Sequence, residues 1–192
     1  MKKLLLYLSV LVLAVMSLAS IVKGHSPTAG GSKPITIVYL APTTENNLLH
    51  LSLQAHFDLP DFLISAINTG IDLTFIADIE IVQQRKLLPD KDILDLEWHK
   101  KLHFYALTRH YVVEDLTFNK QANFNSLRNA LVLLGRYNKV PITDKPLSAS
   151  SAATHARVRV KLSRADLPLP LRLKSYIIYP RPLSSDWHQW SL

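Results

Sequence analysis

The sequence predicts a mainly β domain: a β-sandwich or strongly curved antiparallel sheet with two short helical connections. Three observations lead there. Apolar and polar residues alternate with a period of two along several segments, which makes strands with one buried and one wet face. Strands of that kind pair antiparallel, because parallel strands are covered on both faces. Only two stretches carry apolar residues at helical spacing, and each connects strands.

The fold is expected to begin near Ile35, after the linker "HSPTAGGSKP" (25–34), whose Gly, Ser and Pro bring nothing to bury. In "LLHLSLQAHFD", Leu49, Leu51, Leu53, Ala55 and Phe57 point one way. His50, Ser52, Gln54, His56 and Asp58 point the other. A helix is expected from about Pro60 to Thr69, since Pro60 suits a first turn and Gly70 the residue past the end. A long strand follows, with Ile71, Leu73, Phe75, Ala77, Ile79 and Ile81 alternating with Asp72, Thr74, Ile76, Asp78, Glu80 and Val82. Its length calls for a bulge or bend.

"KLLPDKD" (86–92) reads as a turn, and strand character resumes from Leu96 to Leu107. There His99, Lys101, His103 and Tyr105 share one face, and Trp98, Lys100, Leu102, Phe104 and Ala106 the other. "LTRH" is a tight connection and "YVVEDLTF" the returning strand, so the polar residues of 102–115 cluster because a hairpin folds a wet face onto itself. A second helix is expected after Asn125, with Leu127, Ala130, Leu131 and Leu134 as its apolar stripe and Gly135 ending it. "PLSASSAAT" (146–154) is a low-complexity loop. In "HARVRVKLS", Ala156, Val158, Val160 and Leu162 face inward and His155, Arg157, Arg159 and Lys161 outward. After a Pro-bounded loop, a strand is expected from about Leu171 to Tyr179, and Trp187 and Trp190 are placed to pin the tail.

With 48% apolar residues in 192, one domain with a sizeable core is expected behind a targeting segment. Lys2 and Lys3 precede an apolar run from Leu4 to Val22, followed by small residues, with Ser17 and Ala19 spaced like a cleavage site and a second point after Gly24. Residues 1–24 are therefore expected to be a signal peptide or an uncleaved N-terminal membrane anchor, and 35–192 a single extracytoplasmic domain. Either case puts the chain in the periplasm or tethered to the inner membrane, away from nucleic acid. The absence of cysteine excludes disulfides, thiol catalysis and cysteine-ligated zinc. The net charge of +7 is uneven: residues 25–96 carry 4 basic and 9 acidic side chains, and residues 97–192 carry 15 and 6. A basic C-terminal half fits an anionic lipid, an acidic glycan or an acidic protein partner.

Candidate chemistry is sparse, and no catalytic, cofactor or metal residue is expected. His99 and His103, four apart on a strand, sit roughly 13 Å apart and do not share an ion. There is no H-E-x-x-H and no G-x-S-x-G. Asp90, Asp92, Asp95 and Glu97 lie in and after a turn, which is the ordinary use of such residues. The most coherent feature is a basic ladder: Arg157, Arg159 and Lys161 on one strand, with Arg164, Arg172 and Lys174 close in sequence. Arg157, Arg159, Lys161, Arg172 and Lys174 are a candidate anionic-lipid contact. The bland alternative is an edge strand kept from aggregating by charge.

The apolar leader, "FDLP…LISAINTGIDLTF", "LTRHY", "SLRNALVLLGRY", "ARVRVKLSRADLPLPLRL" and "SSDWHQW", in this order, resemble a bacterial family, domain of unknown function 4390, from about Ile35 to the end. The resemblance implies an exported or membrane-anchored protein of Gram-negative bacteria, often encoded beside a two-component system, and no catalytic residues. His103 and His110 stand where relatives commonly carry other polar residues. The expected function is thus a non-enzymatic accessory or binding module of the envelope, with a membrane sensor kinase as the partner that the resemblance implies. The alternative is a periplasmic hydrolase or small-ligand-binding protein.

Overall fold

The computed structural model describes residues 33–85, 90–143, 154–180 and 182–192. The expected leader, most of the linker, residues 86–89 of the 86–92 turn and nearly all of the 146–154 loop lie outside the described residues. Two antiparallel sheets share one core. The smaller is ordered β1 (Ile35–Glu45), β2 (Leu48–Phe57), β7 (Arg136–Pro141). The larger is ordered β6 (Lys120–Phe124), β5 (His110–Asp115), β4 (Lys91–Tyr105), β3 (Leu73–Gln83), β8 (Thr154–Leu162), β9 (His188–Ser191). Three short helices connect them: α1 (Asp61–Asn68), α2 (Leu127–Leu134) and α3 (Leu169–Ile178).

The period-two runs become strands on the expected faces. Leu49, Leu51, Leu53, Ala55 and Phe57 of β2 are all buried, as are Leu73, Phe75, Ala77, Ile79 and Ile81 of β3 and Ala156, Val158, Val160 and Leu162 of β8. These inward rows meet in one cluster with Leu63 of α1 and Leu134 of α2. Phe57 meets Phe75 edge to face at 4.9 Å, and Trp98 stacks on Tyr137 at 5.5 Å, so both sheets contribute rings to the same interior. Asn46 and Asn47, both at positive φ, turn β1 into β2, the signature of a two-residue primed hairpin. The β3–β4 ladder shifts register between Ile81 and Val82, but the extra residue is Ile93 of β4, and β3, for which the bulge is expected, pairs with β8 without a shift.

The structure corrects four expectations. The second connection caps at Ser126, whose Oγ accepts from the Asn129 amide at 3.4 Å, one residue after Asn125. "YVVEDLTF" is not one strand: β5 stops at Asp115, whose carboxylate accepts from the Phe118 amide, and Asn119 at φ 51° turns the chain into β6. That is an Asx-type turn, legible in Asp115 and Asn119. The strand Thr154–Leu162 is not an edge, because β3 and β9 flank it. Finally, Leu171–Tyr179 is not a strand but most of α3. Pro168 caps this helix and Pro170 lies in its first turn, where a fixed φ and a missing N–H cost nothing. The alternation of Leu169, Leu171 and Leu173 imitates a strand, but this helix leaves Leu169 and Leu173 in solvent and turns Leu171 toward the core.

Gly135 ends α2 as expected, but not through a left-handed conformation: its φ is −81°. Its amide bonds back to Leu131, and its carbonyl accepts from the Ala55 amide of β2 at 2.8 Å. A Cβ here would overlap the Ala55 carbonyl oxygen. Gly135→Ala is therefore expected to cost about 1–3 kcal/mol by overpacking, read as a lowered urea midpoint. An unchanged midpoint would show that α2 and β2 have room to part.

Candidate functional site

The outer face of the larger sheet carries the expected basic ladder, and it is not bare. In the β3–β8 register Asp78 lies opposite Arg159 and Glu80 opposite Arg157. Arg159 Nε donates to Asp78 Oδ2 at 2.8 Å and Arg157 Nε to Glu80 Oε2 at 2.7 Å. In the β3–β4 register Asp78 faces Glu97, a like-charge pair that would repel. Lys161 resolves it by reaching from β8 across β3, with Nζ 2.7 Å from Asp78 Oδ1 and 3.3 Å from Glu97 Oε1. Burial works against this ammonium, but the two carboxylates outweigh it and hold its pKa above the ordinary value. Trp187 covers the row, with the Arg157 and Arg159 guanidinium carbons 4.7 and 4.4 Å from its ring centre. Three cations thus answer three carboxylates, and the tail is pinned as expected, with Trp190 opposite Ala156 in the β8–β9 pair.

Beside this row lies an open cleft of about 500 Å³, whose wall includes Arg159, Lys161, Arg164, Tyr176 and Ser184. Arg164 lies 4.6 Å over the Tyr176 ring and donates to the Tyr179 carbonyl at 2.6 Å. The cleft is bounded by α3, which the sequence reading took for a strand. Here the packing is inverted. The fully buried residue of α3 is Ser175, whose Oγ donates to the Arg172 carbonyl. Leu169, Leu173, Tyr176 and Ile177 are 64%, 55%, 52% and 80% exposed. At 3.6 residues per turn, these four positions (i, i+4, i+7, i+8) fall on one stripe roughly 100° wide. Arg172 flanks it on one side and Lys174 on the other. The Arg172 guanidinium folds back to donate to the carbonyls of Ala165 and Leu167, which fixes the helix start. Lys174 is exposed and makes no ion pair among the described residues. The signal for this stripe was present in Pro168, Pro170 and the i, i+4, i+8 spacing, but the alternating leucines outweighed it.

The remaining titratable residues do not converge. His99 approaches Glu97 at 3.2 Å and His103 approaches Asp72 at 3.3 Å, while His50 and His56 stand in the other sheet. Among the described residues, no three His, Asp or Glu side chains are grouped to hold a metal ion. Lys100, placed by the sequence on the apolar face of its strand, is buried between the sheets. Desolvation lowers its pKa to about 8, opposed by Asp115. Its Nζ donates to the Arg136 carbonyl at 2.6 Å and the Leu133 carbonyl at 3.4 Å and sits 3.7 Å over the Tyr137 ring. That geometry spends the ammonium on the end of α2 and the start of β7, and burial raises the neighbouring Tyr137 phenol.

These residues define three features of a two-sheet β domain: a neutralised charged face, an open cleft and a helix whose apolar stripe is turned outward. The family model described as Domain of unknown function (DUF4390) matches residues 32–191, and the chain belongs to that family. No curated protein and no solved structure matches the chain. Among the described residues, no helix is long and apolar enough to cross a membrane.

The Asp78 cluster gives a direct test. Asp78→Asn keeps shape but leaves Arg159 and Lys161 without their buried partner. The expected loss is about 3 kcal/mol of unfolding free energy, as for broken buried ion pairs, measured by urea titration. A loss below about 1 kcal/mol would class the pairs with solvent-screened surface bridges.

Proposed function

We propose that this protein is an exported, non-enzymatic accessory module of the cell envelope that works through surface contact. The observation that carries this reading is the outward apolar stripe of α3. A contiguous apolar surface on a soluble domain marks an interaction site, and here it stands where a packed helix would turn its apolar side inward. The cations that a hydrolytic or ligand-binding site would need support the same reading by their engagement: Arg159 and Lys161 serve Asp78 and Glu97, and Lys100 serves two carbonyls. Export rests on Lys2, Lys3 and the apolar run Leu4–Val22, which acts as a signal peptide or as an anchor in the inner membrane. A membrane sensor kinase is the protein partner that the family resemblance implies. The second reading, a periplasmic small-ligand-binding protein or hydrolase, rests on the cleft between β8 and α3.

The experiment is a C-terminally tagged full chain expressed in its own envelope. The expected outcome is a tag that protease reaches once the outer membrane is opened, with the inner membrane intact, and a near-stoichiometric protein partner after gentle extraction. A protected, cytoplasmic tag would contradict export. The same preparation reports the N-terminal peptide: a start at Ser20 or His25 means a released module, and an intact Met1–Lys23 means a tethered one.

A further inference from the structure

We propose that α3 lies flat in the interface of an anionic bilayer, with Leu169, Leu173, Tyr176 and Ile177 entering the acyl boundary and Lys174 at the headgroups. This deepens the accessory-module reading and rests on it for export, but not for the geometry of the helix.

The first argument is the shape of the helix surface. An interfacial helix needs one apolar stripe, cations at its borders and a fixed orientation in the plane. All three are on α3. The stripe is convex and roughly 100° wide. Arg172 and Lys174 border it on opposite sides, and the long stem of Lys174 lets its charge rise to the phosphates while its carbons stay in the apolar layer. Tyr176 brings an apolar ring with a polar tip, suited to the same depth. The orientation is fixed because the opposite side packs on the domain: Ser175 is fully buried, Leu171 packs against the core, and Phe62 of α1 lies 6.3 Å from Tyr179 just past the helix end.

The second argument is charge. From Leu167 to Ser185 the chain has three basic residues, Arg172, Lys174 and Arg181, and no acidic one. The cations of β8 are already answered by Asp78, Glu80 and Glu97 within the domain. Among the described residues Lys174 has no such carboxylate, so the charge of an anionic surface is what complements it. A lipid surface contributes about 1 kcal/mol per basic residue held against it.

The chain has no cysteine, so a single labelled cysteine is unambiguous. Full chains carrying Leu173→Cys, Ile177→Cys or Asp92→Cys, each labelled with an environment-sensitive fluorophore, are reconstituted in phosphatidylcholine vesicles with and without phosphatidylglycerol. Asp92 is exposed at the far end of the β3–β4 ladder, opposite Val82, and serves as the control. The expected result is a blue-shifted emission at Leu173 and Ile177, quenched several-fold more by lipid-borne nitroxide than at Asp92. The effect should shrink without phosphatidylglycerol and in a Lys174→Glu background. Labels at 173 and 177 that stay open to aqueous iodide in both vesicle types would overturn the proposal. So would shielding that develops only when a co-purified protein is added, which would make a protein the occupant. Quenching equal at all three positions would mean unspecific adsorption and would also overturn it. Envelope retention is read separately in fractionated cells, so a failure here leaves the accessory-module reading standing, and the converse holds.

Discussion

A single carboxylate organises the larger sheet. Asp78 is 4% exposed in the middle of β3, opposite an acidic residue on one neighbouring strand and a basic one on the other. A buried carboxylate without partners costs several kcal/mol. Burial here therefore requires that β8 lie at the register that brings Arg159 alongside and sends Lys161 across to Glu97. A slip of one residue would turn those cations into the core and the valines out. Trp187 then roofs the two guanidinium groups, which ties the C-terminal tail to the sheet. The inner face of the same strand supplies Phe75, Ile79 and Ile81 to the shared core, and Ile76 and Val82 are buried on the outer face with Asp78, so β3 is covered on both sides.

This frame explains how α3 can remain outward. The core rests mainly on other elements: both sheets, α1 and α2 fill the interior, and α3 contributes the buried Ser175 and the partly buried Leu171. Lys100 closes the seam on the other side by bonding the carbonyls of Leu133 and Arg136 beneath the Tyr137 ring, so one cation holds α2 and β7. Once Pro168 and the Arg172 contacts start the helix, nothing pulls Leu169, Leu173, Tyr176 and Ile177 inward. Solvent exposure of this stripe disfavours the isolated domain and becomes favourable on an apolar layer.

Much of the fold was legible because the buried faces repeat every second residue. β2, β3 and β8 follow the alternation of Leu49–Phe57, Leu73–Ile81 and Ala156–Leu162, and α1 and α2 follow their Pro60, Gly70 and Gly135 boundaries. The ladder Arg157–Lys161 was legible too, but its partners were not, since one sequence does not say which strand lies beside which. Knowing that Asp78 and Glu80 share a face left open that Arg159 and Arg157 stand opposite them. The turn after Asp115 was masked by the apolar Leu116 and Phe118. The α3 helix was misread for a deeper reason. Periodicity reports burial, and a helix whose apolar residues face outward carries no inward stripe to report.

Hydrogen exchange on the full chain tests most directly whether a rigid β frame holds α3 out for a membrane. Amides of β3 and β8 should exchange slowly and equally with and without vesicles containing phosphatidylglycerol. Amides within Leu169–Ile178 should exchange faster in the free protein and slow several-fold on the vesicles. Slow exchange in α3 already in the free protein, unchanged by lipid, would contradict the account, because it would mean that the helix has a buried home within the domain.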